Sequence, residues 1–251
     1  MCISIWNVTS RYNQPMNIEY ILPLVTFWHT ISSQIVKYKP HSITNNAVSF
    51  IHCVSFIAHY NYEYNLDYAI HISIGFYFYD LLYILSQICK ERSELKQRAP
   101  FIVHHIAGIY VLNAILLGES QEHILGGYII LEKSNIMLYI SYYLRKQYAE
   151  YYNLNVLSDL IQLIVYSYYR IFELSSFIYM NRVPFSQFHF MTQFLIIGIY
   201  CMGYAWSYRL FQKNISNYNA LLVARSKKYS SAGWRSAPAP DLLWISRMMC
   251  S

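Results

Sequence analysis

Two adjacent histidines lie inside an apolar segment of this chain. Phe101–Leu117 reads FIVHHIAGIYVLNAILL, and His104 and His105 lie one helical turn from its start. Ionisable side chains cost free energy in the hydrocarbon of a membrane, so those that occur there usually serve a function. A histidine in such a place can act as a general base on an attacking amine or hydroxyl. We expect Asp80, in the apolar sequence FYFYDLLY, to orient it.

Polar residues also recur on the faces of other apolar segments. Asn45 and His52 are spaced so that they fall on one stripe of a helix. Glu132 and Asn135 share a face of a later helix, and Arg170 stands in the helix after that. We expect these five residues to line a polar cavity in the membrane that holds the head group of an amphipathic lipid.

Some of these side chains also have a plainer interpretation. Arg170 and Glu173 are three residues apart, a spacing that favours an ion pair between two buried charges. The histidines together with Asp80 could hold a metal ion, but they lack the i, i+4 spacing of helical metal ligands. The five cysteines are scattered and show no C-x-x-C spacing. We therefore expect no metal site and no disulfide framework.

The composition indicates a membrane protein. The chain has 251 residues, of which 55% are hydrophobic and only 13% are charged. A soluble domain carries about 25% charged residues, so a surface that faces water on all sides is not expected. The first residues lack a basic region followed by an apolar core, and we expect no cleaved signal peptide.

Seven apolar segments predict the fold, an all-α, multi-pass transmembrane helical bundle. Most approach the length of about 20 residues that a helix needs to cross the hydrocarbon core of a membrane. They are Ile18–Val36, Asn45–Tyr60, Tyr68–Ile88, Phe101–Leu117, Ile124–Leu144, Val156–Tyr179 and Phe188–Phe211.

The charges between the segments predict the orientation. Alternate loops are basic, and basic loops mark the cytosolic side of a membrane. The N-terminus is therefore expected outside the cell or in a lumen, and the C-terminus in the cytosol. The basic loops contain Lys37, Lys39, Lys90, Arg92, Lys96, Arg98, Arg145 and Lys146.

The same patterns suggest three parts of the chain. Residues 1–39 form an N-terminal segment with the first transmembrane helix, and residues 40–212 form the main transmembrane domain. The composition changes after Phe211 to Ser, Ala, Pro and basic residues. We expect residues 213–251 to be a flexible, basic, cytosolic tail.

The order of these motifs resembles the TRAM–LAG–CLN8 (TLC) domain family over about residues 40 to 212. The motifs are NNAVSFIHC, GFYFYDLLY, FIVHHIAGIYVL, ILEKSNIMLYISYYL, YSYYRIFELSSF and YCMGYAWSYRLF. The resemblance implies a TLC-like helical bundle in the endoplasmic reticulum or another endomembrane.

What the resemblance implies about activity depends on the branch of the family. Ceramide synthases, which transfer a fatty acyl group from acyl-CoA to an amine, need a His-His pair and a downstream His-Asp motif with a further Asp. His104 and His105 match the pair, but Glu132-Lys133-Ser134 stands where the second motif would be. This Glu-x-Ser sequence is similar to the shorter branch, whose members are linked to lipid homeostasis and trafficking.

Three hypotheses follow from the sequence. The first is a protein that binds or modifies a membrane lipid. The second is an acyltransferase that uses His104 or His105 with Asp80, and takes acyl-CoA as co-substrate through the basic loop Lys90–Arg98. The third is a membrane trafficking adaptor. The expected partners are membrane lipids and other membrane proteins, and not nucleic acid.

Overall fold

The computed structural model describes residues 18–62, 66–91, 95–117 and 121–231, and these residues are almost entirely helical. The predictions for residues 1–17, including the signal peptide, and for residues 232–251 of the tail lie outside the described residues. The helices are α1 (Ile18–Val36), α2 (His41–Asn61), α3 (Leu66–Lys90), α4 (Leu95–Leu116), α5 (Gln121–Gln147), α6 (Tyr152–Ser167), a π-helical segment (Tyr168–Glu173), α7 (Leu174–Met180), α8 (Arg182–Ser186) and α9 (Phe190–Ser231).

The predicted all-helical architecture is confirmed, because each of the seven apolar segments coincides with helix. Within the described residues, three helices are long and apolar enough to cross a membrane: Leu66–Lys90, Arg98–Leu116 and Phe190–Ala220. The other long helices carry more polar residues along the same length, as α2 does with its Asn, Ser and His side chains. That all seven segments cross a membrane stays a prediction.

Six helices pack side by side to form a closed ring. In order around the ring, α2 packs on α3, α3 on α4, α4 on α9, α9 on α6, α6 on α5, and α5 again on α2. The polar residues at issue project from α2, α3, α4, α5 and the π-helical segment, all of which belong to the ring or continue it. The ring therefore determines which of these side chains can meet in its interior.

α1 lies against α3 and α2 at the side of this ring. A methyl group on Gly75 of α3 would lie 2.5 Å from the Cβ atom of Leu24, so only glycine allows α1 to approach this closely. Trp28 of α1 is buried, and its indole N–H donates a hydrogen bond of 3.0 Å to the carbonyl of Ile72. α1 thus fixes the position of α3, which carries Asp80.

α9 continues well beyond the predicted domain boundary at residue 212. The part of the predicted tail from residue 213 to Ser231 is helical, and its first turn contacts α6. Lys213 and Asn217 of this turn bind the carboxylate of Asp159, with contacts of 2.8 and 2.9 Å. These contacts explain why the helix continues where the sequence has ceased to be apolar.

Candidate functional site

Asp80 and His105 form a short polar contact between two helices in the interior of the ring. The Nε2 atom of His105 lies 2.6 Å from one carboxylate oxygen of Asp80. The side-chain amide of Asn45 donates a hydrogen bond of 3.1 Å to the other oxygen. Asp80, Asn45 and His105 thus bring together α3, α2 and α4. The contact to Asp80 leaves the second ring nitrogen of His105 as its remaining polar atom.

The two histidines of the pair differ in their contacts. His105 is buried, whereas His104 is half-buried. Their Nδ1 atoms are both buried, and neither has a hydrogen-bond partner among the described residues. Buried polar atoms in native proteins are nearly always hydrogen-bonded. The two Nδ1 atoms are therefore available to a ligand.

His52 has a different environment from the one that we expected. Its Nε2 atom is 2.9 Å from the hydroxyl of Ser73, and its ring stacks on Phe76 with the two centroids 4.1 Å apart. His52 is not among the residues that line the two cavities described below. The helical stripe does point it inward, but aromatic side chains of α1 and α3 fill the interior at its level.

Glu132 is buried in a group of hydroxyl donors. The hydroxyl of Tyr77 donates a hydrogen bond of 3.2 Å to its carboxylate and lies 2.8 Å from the hydroxyl of Tyr128. The thiol of Cys53 donates to the backbone carbonyl of Glu132. Burial of a carboxyl group is costly unless hydrogen bonds compensate for the lost water, and this group of hydroxyls supplies them.

Arg170 lies in the π-helical segment and does not pair with Glu173, so the predicted ion pair is wrong. Its Nε atom donates a 2.7 Å hydrogen bond to the Ser134 hydroxyl, and Nη2 donates one of 3.3 Å to the side-chain oxygen of Asn135. The π-helical winding changes the angle between successive side chains, so the i, i+3 neighbours of an α-helix no longer face each other. Gly203 of α9 allows close approach to the stem of Arg170.

Two cavities lie beside these residues. The first, here called the apolar cavity, is a narrow channel with a volume of about 60 Å³. The second, here called the polar cavity, is much wider, with a volume of about 660 Å³. The apolar cavity is lined mainly by Val111, Leu131, Leu174, Phe177, Ile178, Phe185, Ile196 and Ile199. The polar cavity is lined by Asn45, Ser49, Asp80, Gln87, Arg98, His105, Tyr142 and Trp206, among others.

The two cavities share three lining residues. His104, Asn135 and Arg170 line both of them, and we call these three residues the junction. Asp80 and His105 line the polar cavity close to the junction, while Glu132 lines the apolar cavity. Of the eight predicted site residues, seven thus line one cavity or both, and His52 alone does not.

Sequence reasoning missed several residues that define this site. Tyr77 donates a hydrogen bond to Glu132, and Tyr128 bonds to Tyr77, but the sequence contains 27 tyrosines, so neither stands out. Ser134 accepts a hydrogen bond from Arg170 and was noted only as part of the Glu-x-Ser motif. Trp206 lines the polar cavity from α9. Within the described part of the chain, no group of three His, Cys, Asp or Glu side chains is placed to hold a metal ion.

Comparison with known proteins adds no relative. No family model matches this chain, and no curated protein or solved structure matches it either. The resemblance to the TLC domain rests on the sequence motifs alone and stays a prediction.

Proposed function

We propose that this chain is a multi-pass membrane protein that binds one amphipathic lipid and acts in lipid homeostasis. The acyl chain occupies the apolar cavity and the head group occupies the polar cavity. The observation that carries this proposal is the junction, where an apolar and a polar cavity meet at three polar side chains. The polar cavity, at about 660 Å³, falls within the range of about 300–1,000 Å³ that is typical of small-molecule sites, and the apolar cavity adds a narrow channel beside it.

The outer surface of the helices supports a location within a membrane. Large apolar side chains are exposed on several helices, among them Leu22 of α1, Leu82 of α3, Val103 of α4 and Ile164 of α6. Extended exposed apolar surface marks contact with a membrane or another protein. In our proposal seven segments cross an endomembrane, and the polar cavity opens to the cytosol beside the basic residues at the ends of α3 and α4.

Blocking the apolar cavity tests the binding function. Gly127 lines this cavity, and a methyl group there would only touch the ring of Phe177, at 3.6 Å. The Cβ atom of a Gly127→Leu variant therefore fits, and the rest of its side chain should displace the acyl chain. Size-exclusion chromatography checks that the variant folds. Gly198→Leu is the matched control, because Gly198 is exposed, lines neither cavity, and a Cβ atom there meets no described atom within 4 Å. Lipid that co-purifies with the full chain is measured by native mass spectrometry.

Loss of bound lipid in Gly127→Leu but not in Gly198→Leu is the result that we expect. Equal lipid in the wild type and both variants would place the lipid elsewhere and contradict the proposal.

A second function, acyl transfer, is favoured by one contact, the 2.6 Å hydrogen bond between His105 and Asp80. In this reaction the hydroxyl or amine of an acceptor lipid attacks the thioester carbonyl of acyl-CoA. The proton of the acceptor passes to Nδ1 of His105, the bond from carbonyl carbon to sulfur breaks, and coenzyme A leaves with the proton. Asp80 holds the ring and stabilises the positive charge that it acquires.

Lipid mass spectrometry distinguishes transfer from binding alone. Membranes that contain the wild type should accumulate an acylated lipid that a His104→Ala, His105→Ala variant at equal abundance does not produce. An unchanged lipid profile in the two samples would limit the protein to binding. Lys90 and Arg98 lie on the cytosolic side in our proposal, where the phosphates of acyl-CoA would reach them.

A further inference from the structure

Arg170 is a buried cation that contacts only neutral groups. The residue is 2% exposed. Its two hydrogen bonds go to the hydroxyl of Ser134 and the amide oxygen of Asn135, and its guanidinium carbon lies 5.3 Å from the centroid of the Tyr166 ring. Among the described residues, no carboxylate oxygen is within 4.0 Å of its nitrogen atoms.

The acidic side chains of this interior are already bound to other groups. The oxygens of Asp80 contact His105 and Asn45. The carboxylate of Glu132 accepts a hydrogen bond from Tyr77. A charge that is removed from water without a counter-ion is strongly unfavourable, and buried charges are therefore paired or coordinated. Arg170 thus forms no direct ion pair among the described residues, although Glu132 interacts with it electrostatically from beyond 4.0 Å.

The position of Arg170 indicates where an anionic partner would come from. Arg170 belongs to the junction, so it borders both the apolar cavity and the polar cavity. A planar guanidinium group binds carboxylate and phosphate oxygens particularly well. His104, the neighbouring junction residue, adds a buried Nδ1 atom without a partner among the described residues.

We infer that the ligand is a single-chain anionic lipid whose carboxylate or phosphate group binds Arg170 at the junction, an inference that rests on the proposed lipid-binding function. The apolar chain extends from the junction into the apolar cavity, and any remaining head group extends into the polar cavity. A neutral lipid leaves Arg170 without a direct ion pair.

The first test compares ligands on the wild-type chain. The full chain in nanodiscs of phosphatidylcholine is mixed at pH 8 with palmitate, lysophosphatidate, hexadecanol or monopalmitoylglycerol, and binding is measured by native mass spectrometry. An anion paired with a buried cation adds about a tenfold to hundredfold gain in affinity. We therefore expect palmitate or lysophosphatidate to bind at least tenfold more tightly than either neutral lipid. The tighter of the two anions identifies the oxyanion as carboxylate or phosphate.

The second test removes the cation. Arg170→Gln should lower the affinity for the tighter anion about tenfold or more and leave the affinity for hexadecanol unchanged. Arg209→Gln is the matched control, because Arg209 is exposed on α9 and lines neither cavity. Arg170→Lys, which keeps the charge but not the planar donor group, should retain part of the preference for anions. If Arg170→Gln does not fold, the ligand series on the wild type decides the question.

Three results would overturn the inference in distinguishable ways. Equal affinity of the wild type for palmitate, lysophosphatidate and the neutral lipids would refute the anionic ligand and leave the proposed lipid binding intact. No binding of any of the four lipids would refute both. The same loss of anion binding in Arg170→Gln and Arg209→Gln would show that surface charge, and not the junction, attracts the lipid.

Discussion

Two buried aspartates each lie between three helices, but their contacts differ. Asp159 is 2% exposed and lies between three helices, where Arg145 of α5 and Lys213 of α9 reach it at 3.2 and 2.8 Å. Asp80 is 6% exposed and is also shared by three helices, but its partners are a histidine and an amide.

The two carboxylates differ in whether the polar groups around them all have partners. Asp159 has two full positive charges beside it and lines neither cavity. Asp80 lines the polar cavity, and its partner His105 carries a buried ring nitrogen with no partner among the described residues. A buried carboxylate by itself therefore says little about function. The identity of its partner and the presence of an adjoining cavity separate the candidate catalytic group from the structural one.

The largest expected effect comes from changing each aspartate to asparagine in an acyl-transfer assay. An amide at residue 80 cannot stabilise a positively charged His105 and can favour the wrong tautomer, so the transfer rate should fall about 10²–10⁴-fold. Asp159→Asn should leave the rate per folded molecule unchanged. Transfer is measured with a labelled acyl-CoA and normalised to folded protein by size-exclusion chromatography.

An equal loss of rate in the two variants would contradict this contrast. It would mean that the Asp80 cluster, like the Asp159 cluster, acts only by holding helices together.

The next effect concerns stability, and here we expect Asp159→Asn to be more harmful than Asp80→Asn. Asp159→Asn leaves Arg145 and Lys213 without a counter-ion, but both side chains are about one-third exposed and can reach solvent. We expect a loss of about 2 kcal/mol, less than the 3–5 kcal/mol typical of a fully buried pair. That loss corresponds to a fall of about 5 °C in Tm, measured by thermal unfolding in detergent.

Asp80→Asn should lower Tm by less, because an amide can still accept a hydrogen bond from the imidazole N–H. A larger fall in Tm for Asp80→Asn than for Asp159→Asn would show that the Asp80 cluster is the main structural contact.

The helices of this fold could be predicted from the sequence because apolar segments are bounded by charged loops. The segment Ile18–Val36 coincides with α1. The end of α9 could not be predicted in this way, since residues after Phe211 lose their apolar character. That part of α9 is held by polar contacts of Lys213 and Asn217 with Asp159, and hydropathy does not detect such contacts.

The candidate site could be predicted only in part. Depth along the helices places Asp80 and His105 at a similar level, but their contact depends on how α3 and α4 are rotated. In the same way, the rotation of α2 and α3 about their axes places His52 on Phe76 and away from both cavities. The π-helical winding around Arg170 has no signature in the sequence, so its partners Ser134 and Asn135 could not be foreseen.

A smaller effect should follow from Asn45→Ala. This change removes the 3.1 Å hydrogen bond to Asp80 but keeps the contact between Asp80 and His105. Loss of one hydrogen bond to a charged group should reduce the proposed transfer rate about tenfold, since Asp80 becomes less well positioned. Thr44→Ala is the control, because the Thr44 hydroxyl bonds to the backbone carbonyl of Pro40 and Thr44 lines neither cavity.

A rate for Asn45→Ala as low as that for Asp80→Asn would contradict this ranking. It would assign to Asn45 a direct role at the reacting atoms.

The smallest effect should follow from removing the two cations that contact Asp159, one at a time and then together. Lys213→Ala removes one charge that is about one-third exposed and leaves Arg145 in place, so we expect a loss of about 0.5–1 kcal/mol. Arg145→Ala should cost a similar amount for the same reason. The double variant should cost more than the sum of the two, because only then is the buried carboxylate left without any cation. A double-mutant cycle on Tm measures this excess, and a strictly additive result would mean that Asn217 alone satisfies Asp159.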